Sequence, residues 1–240
     1  MHNVDTREEE KILKAIENNV GSGVFTEFNK AYVFGIVEKD FEFNHEEWGE
    51  RFYVTRVRVA RLSKTEDLVP IMISNRLVKD VERPIKGKCI EVAGQFRSHN
   101  TKDDEGRSHL GLALYATSIS IHEESAIPIF KNIIFLDGYI CKQPTYKVTK
   151  LGRKITDVML AVNRPKYRMT DYIPCIAWGK TAKIISYMTV GNRIQLYGRI
   201  QSREYYKKIN DRGEGEYRVA YEISLSSVAS EPSVSTIEEK

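Results

Sequence analysis

Six aromatic side chains, Tyr146, Tyr167, Tyr172, Trp178, Tyr205 and Tyr206, stand in a stretch crowded with cations: Arg153, Lys154, Arg164, Lys166, Arg168, Lys180, Arg199, Arg203, Lys207 and Lys208. Rings beside positive charge suit one kind of ligand, an unpaired polynucleotide, whose bases offer faces for stacking and whose phosphates draw cations. In TDYIPCIAWGKTA (Thr170–Ala182), strand alternation puts Tyr172, Pro174, Ile176 and Trp178 on one face and Ile173, Cys175 and Ala177 on the other. The small apolar set suits a barrel interior. The larger set, ending beside Lys180, suits an outer binding face. Against each ring stands the plainer reading that it is core, since Tyr and Trp are commonly buried for most of their area. Tyr139, Tyr187, Tyr197 and Tyr221 are read as structural.

Charge favours the ligand reading. Residues 1–130 hold 18 Lys and Arg against 22 Asp and Glu, whereas residues 131–228 hold 18 against 8, so a net charge of +4 hides a polarised chain. Phosphates are repelled by the first part and drawn to the second. Enzymatic chemistry finds little support. All 5 histidines precede residue 131, and no Gly-rich phosphate loop, GxSxG or HExxH motif occurs. Asp103 and Asp104, beside a glycine, read as a solvated turn. Cys89, Cys141 and Cys175 are isolated and odd in number, which argues for reduced thiols rather than a disulfide framework or a zinc site. No catalytic residue, metal site, cofactor or small-molecule substrate is expected. The start of the chain is acidic where a signal peptide needs a basic and then an apolar segment. No apolar run reaches the ~18 to 20 residues that span a bilayer. A cytoplasmic protein without membrane association is the expectation.

The elements that must position these residues emerge from an internal repeat. VPIMIS (Val69–Ser74) aligns with IPCIAW (Ile173–Trp178), and KGKCIEVAGQFRS (Lys86–Ser98) with VGNRIQLYGRIQS (Val190–Ser202), pairing Pro70 with Pro174, Gly87 with Gly191 and Gly94 with Gly198 at a constant shift of 104. With one gap, VFGIV (Val33–Val37) aligns with LDGYI (Leu136–Ile140), and VRVAR (Val57–Arg61) with LAVNR (Leu160–Arg164). The chain therefore divides into an N-terminal helix and linker (1–28), a first domain (29–125), a second domain (131–228) and a tail (229–240). In the second domain strands are expected at Ile133–Cys141, Ile155–Val162, the TDYIPCIAW stretch, Arg193–Arg203 and Tyr217–Leu225. KTAKIISYM (Lys180–Met188) sets Ala182, Ile185 and Met188 at helical spacing, with Gly191 as a stop signal. Five strands with one helix after the third is the order of an OB-fold barrel; a small β-sandwich leaves the helix unexplained. The expected fold is all-β: two tandem OB-fold five-stranded barrels, each with a helix after its third strand, plus a short N-terminal helix. That helix, Thr6–Val20, has Ile12, Leu13 and Ile16 on one side. Pro174 within a strand implies an edge or a bulge.

From Ile133 to Val228, and most specifically in LAVNRP, DYIPCIAWGKTA and YGRIQSREY, the sequence resembles the bacterial single-stranded DNA-binding protein family. The resemblance implies an OB-fold, single-stranded DNA as ligand, no catalysis and a particle of four OB domains, which two domains per chain reach as a homodimer. It implies base stacking by Tyr172 and Trp178 on the third strand, Tyr205 at the start of the loop between the fourth and fifth strands, and Tyr146 in the first loop, with Tyr167 across the hairpin. The first domain departs from this pattern: Leu68 stands in the place of Tyr172, Ser74 in that of Trp178, and Asn100 near that of Tyr205. The tail SVASEPSVSTIEEK lacks the acidic, aromatic-proline tip by which such proteins recruit replication and repair proteins. Binding and protection of single-stranded DNA in replication, recombination or repair is the expected function. The alternative is an OB-fold interaction module of a primosome-like or recombination complex, with DNA contact secondary.

Overall fold

The glycines that mark the repeat answer the same steric demand in both copies. A Cβ on Gly94 would lie 2.1 Å from the Tyr115 carbonyl oxygen, and one on Gly198 2.4 Å from that of Ser224. Gly35 and Gly138 repeat the pattern, 2.4 Å from the Arg58 oxygen and 2.7 Å from the Ala161 oxygen. These are points where one strand crosses another too closely for any side chain. Gly87 and Gly191 serve differently, turning at φ of +82° and +92°.

The computed structural model describes residues 29–61, 63, 65–102, 108–122, 131–164, 169–208 and 215–228. The expected helix Thr6–Val20 and the tail 229–240 lie outside the described residues. The described residues are almost entirely β. Its strands are β1 (Asn29–Val37), β2 (Glu42–Glu47), β3 (Glu50–Ala60), β4 (Glu66–Ser74), β5 (Cys89–Lys102), β6 (Ser108–His122), β7 (Lys131–Val148), β8 (Lys154–Arg164), β9 (Met169–Trp178), β10 (Arg193–Lys208) and β11 (Gly215–Val228). Two compact units result, one formed by the described residues of Met1–Lys30, Ile134–Arg199 and Ile223–Lys240, the other by those of Ala31–Ile133 and Ile200–Glu222.

In the first of these units β7 pairs with β8 and β10, β8 with β9, and β9 in parallel with β11. Since β10 and β11 are neighbours, the five strands close on themselves as a barrel. Its interior holds Ile134, Leu136, Leu160, Ile173, Ala177, Ile194 and Leu196, all fully buried. One end is covered by a helix, Gly179–Ser186. Ala182, Ile185 and Met188 are all buried, and the Thr156 hydroxyl donates to the Ala182 carbonyl at 2.7 Å. Pro174 costs no hydrogen bond on the β11 side, where the register begins at Cys175. β7 runs on to Val148 through residues expected to form a loop, with register shifts between Ile140 and Lys142 and between Lys142 and Thr145. Cys175 is buried and Cys141 partly so; both are free thiols, as is buried Cys89.

The second unit shows the same cycle of pairings: β1 with β3 and β5, β3 with β4, β5 with β6, and β4 with β6 in parallel. β2 forms a hairpin with β3 and is the counterpart of the extension of β7, since Glu42 opposite Val54 repeats Thr145 opposite Asp157. The expected helix after β4 is absent: residues 75–88 form turns and bends. The reason lies in local bonding. Pro84 has no N–H, and the Asp40 carboxylate takes the N–H groups of Ile85 and Lys86 at 2.7 and 2.8 Å, fastening fully buried Ile85 into the core. The described residues of Ile200–Glu222 belong to this unit, where Ser202 donates its N–H to Asp67 at 3.1 Å and its hydroxyl accepts the Leu68 N–H at 2.9 Å.

Gly198→Ala is expected to cost about 2 kcal/mol in denaturant unfolding, since the obstacle is backbone that must move. The backbone hydrogen bonds from Lys86 and Ile85 hold the Asp40 carboxyl below its ordinary pKa. A depressed folded-state value stabilises above the unfolded value and is lost as pH falls through the folded one. Asp40→Ala should therefore lower Tm by several degrees at neutral pH, and the gap to the unsubstituted protein should close in strong acid.

Candidate nucleic-acid interface

On β9, alternation holds as the sequence implies. Ile173, Cys175 and Ala177 point inward, while Tyr172 is 50% exposed and Pro174 and Trp178 partly so. Ile176 departs from the outer set in being only 7% exposed, seated in the ladder between Asp157 and Ser224. The Trp178 ring is fixed by its N–H, which donates to the Ser224 hydroxyl at 3.2 Å. Gly179, at φ +58°, turns the chain into the helix directly behind it.

Register places further side chains on this face. Trp178 lies opposite Ile155, which lies opposite Lys147; Tyr172 lies opposite Ala161, which lies opposite Tyr139, which lies opposite Arg193. Tyr139, read from sequence as structural, is instead 45% exposed in a row with Tyr172. Only alanine separates the two rings, about 10 Å apart at two strand spacings. Arg193 closes the row, its Nε and Nη2 donating to the Asp137 carboxylate at 2.9 and 2.7 Å. That acceptor raises the Arg193 pKa and fixes its charge. Lys154 precedes Ile155, Lys180 follows Trp178, and Arg153 stands at the adjoining turn. All three are exposed, with no ion-pair partner among the described residues.

Other expected site residues fall elsewhere. Tyr146 is exposed but lies opposite Thr156, in the row of Ala177, on the inward face of the sheet. Arg164 donates through Nε and Nη2 to the two oxygens of Asp171, which is 1% exposed. Arg61 and Asp67 form the same pair at the equivalent position of the other copy. Closing the β8–β9 hairpin therefore occupies this guanidinium. Tyr167, Lys166 and Arg168 lie outside the described residues. Arg199 is half-buried on β10.

Tyr205 belongs to the other unit, on its β10–β11 hairpin, with the Arg203 guanidinium 5.9 Å from its ring centroid. Arg203 and Lys207 are exposed at alternate positions; Lys208 is in the strand, its side chain outside the described set. Sequence reading set Tyr206 among the rings but overlooked Tyr217, which it meets edge to face at 5.3 Å, both being exposed. In the first copy, Leu68 donates its N–H to Ser202, and Ser74 is buried, its hydroxyl accepting the Arg76 N–H at 3.1 Å. Asn100 lies in β5, its side chain outside the described set. No group of metal-ligating side chains occurs among the described residues, and no described helix is long and apolar enough to cross a membrane.

The single-strand binding protein family matches residues 131–230. A single-stranded DNA-binding protein of Fusobacterium nucleatum is 30% identical over 105 residues, which cover 40% of this chain and 64% of that protein, somewhat less than two thirds of its length. Single-stranded DNA-binding protein B of Bacillus subtilis is 34% identical over 92 residues, covering 36% of this chain and 79% of the relative. Among solved structures, the wild-type single-stranded DNA binding protein from Thermus aquaticus superposes with a TM-score of 0.65 at 18% identity, over 88% of this chain and 96% of the other. That likeness is one of fold.

Arg164→Gln and Arg61→Gln should each destabilise by about 3 kcal/mol, because each removes the guanidinium that neutralises a buried carboxylate. Paired denaturation curves check this; a loss at one site alone would break the equivalence of the two clamps.

Proposed function

Because the chain belongs to the single-strand binding protein family, we propose that it binds single-stranded DNA without sequence preference, holding bases on the exposed rings of its second repeat. Proteins of this family bind DNA and are not enzymes. The observation that carries the proposal is the outer face of β7–β9. Tyr172 and Tyr139 flank Ala161, Trp178 stands anchored at the other end, and Arg153, Lys154 and Lys180 are free to meet phosphates. Tyr172 and Trp178 are six residues apart on one strand, about 20 Å, so a strand of DNA must run along β9 to touch both. Stacking tolerates any base because every base has a π-face, and cations following the backbone read no sequence. Ala161 has a part in this: a larger side chain there would fill the space between the two tyrosines.

The same reading takes the two cycles of pairings as tandem OB-fold barrels, the first with turns in place of the helix. The hairpin residues Arg203, Tyr205 and Lys207 also contact DNA. A homodimer supplies four such barrels, and the protein works in the cytoplasm in DNA replication, recombination or repair. The free cations beside exposed rings favour DNA as the primary ligand over an interaction module with secondary DNA contact.

Trp178→Ala, Tyr172→Ala and Tyr139→Ala are each expected to weaken oligo-dT binding by about 1 to 3 kcal/mol, the range typical of base stacking in proteins of this class. Tyr146→Ala should change affinity less than about twofold, being on the other face. Fluorescence anisotropy of folded variants decides. The logarithm of affinity should fall with that of salt by about 0.7 per phosphate neutralised. A flat salt response would favour the interaction module.

A further inference from the structure

The β2–β3 hairpin carries aromatic side chains that the DNA path does not use. Phe43 meets Tyr53 edge to face at 5.9 Å, and the Arg51 guanidinium lies 5.0 Å from the Phe43 ring centroid. On the opposite face His45 stacks on Phe52 at 4.8 Å, nearly parallel. Trp48, at the tip, is 94% exposed, and among the described residues no ring or cation lies against it. So large an apolar surface left bare beside partnered rings suits a site that another molecule covers.

Charge decides which molecule. Glu46 and Glu47 adjoin Trp48 and have no ion-pair partner among the described residues, whereas Lys39 holds Glu42 and Arg76 holds Glu50 at 3.4 Å. Two free carboxylates beside the ring repel a phosphate chain and attract a basic side chain. Indole is also the best π-face for a cation, the pairing that Arg51 already makes with Phe43 on the same hairpin. The other repeat supplies an independent contrast. Gly49 and Gly152 occupy the same turn, at φ +75° and +73°, and aligning them sets Glu47, Trp48, Glu50 against Lys150, Leu151, Arg153. The same hairpin tip thus carries opposite charge in the two copies, and only the acidic one presents an indole.

We propose that Trp48, with Glu46 and Glu47, is a docking site for a basic segment of a partner protein, in which an arginine stacks on the indole and pairs with the carboxylates. The site belongs to the repeat that lacks the stacking platform, so it operates alongside the DNA path rather than within it.

The chain has 2 tryptophans, so Trp178→Phe leaves Trp48 as the sole indole reporter. In that protein an alternating arginine–glycine peptide should shift Trp48 emission saturably, and the glutamate–glycine counterpart should not. Adding Glu46→Lys and Glu47→Lys should weaken the arginine peptide by about tenfold, the effect of reversing two exposed charges beside the ligand. If that variant fails to fold by circular dichroism, Glu46→Gln with Glu47→Gln should weaken it by about threefold. Three results would overturn the proposal: no shift with the arginine peptide, an equal shift once the carboxylates are replaced, or an equal shift caused by labelled oligo-dT whose own anisotropy reports it bound.

Discussion

Closing five strands on themselves brings backbones to contact at a few crossings, and everything else in the chain is arranged around those crossings. No side chain fits between Gly198 and the Ser224 carbonyl, or between Gly138 and the Ala161 carbonyl. Once these approaches are made, β7, β8, β9, β10 and β11 hold a fixed register, and register decides which residues share a face. Ser224 is both the backbone that Gly198 approaches and the hydroxyl that fixes the Trp178 indole. Closure of the barrel and orientation of its exposed tryptophan thus depend on one stretch of β11. The first copy keeps this closure, with Gly94 against Tyr115, but has a buried serine where the indole would stand.

The division of labour along β9 follows from the two-residue period of a strand. Ile173, Cys175 and Ala177 are small enough to fill a barrel; Tyr172 and Trp178 are too large for it and stand outside. This much was legible in thirteen letters of sequence, as were the glycine and proline pairs, because each reflects a local demand that recurs at constant spacing. Tyr139 was not legible. Its own strand reads LDGYI, where a tyrosine looks like core; its exposure follows from a register that sets it opposite the small Ala161. Tyr146 was placed from its position in the first loop, whereas the strand continues through two register shifts and turns it to the inward face.

Two other features were illegible for a different reason: their partners are distant or their signal was ambiguous. The loop 75–88 has Leu77, Val78 and Val81 at a spacing compatible with a helix, but the carboxylate that captures its backbone is Asp40, far back in the chain. Arg164 looked like a phosphate contact because cations surround it. The repeat contained a second role for it, since Arg61 and Asp67 recur as Arg164 and Asp171. A cation that recurs with its carboxylate in an acidic copy belongs to the fold, whereas one whose counterpart carries opposite charge belongs to what distinguishes the copies.

That criterion sorts the basic residues of the second copy by physical cause. Arg153 and Lys150 have glutamates as counterparts at the equivalent hairpin, and neither is needed to hold its turn, which Gly152 and the hydrogen bond from the Arg153 N–H to the Thr149 hydroxyl at 3.1 Å already define. A surface turn free of structural duty can change sign at little cost to stability. One scaffold can then carry a basic face that suits phosphates and an acidic tip that repels them. Because both tips cap equivalent hairpins, a change of surface charge at the tip requires no change of fold.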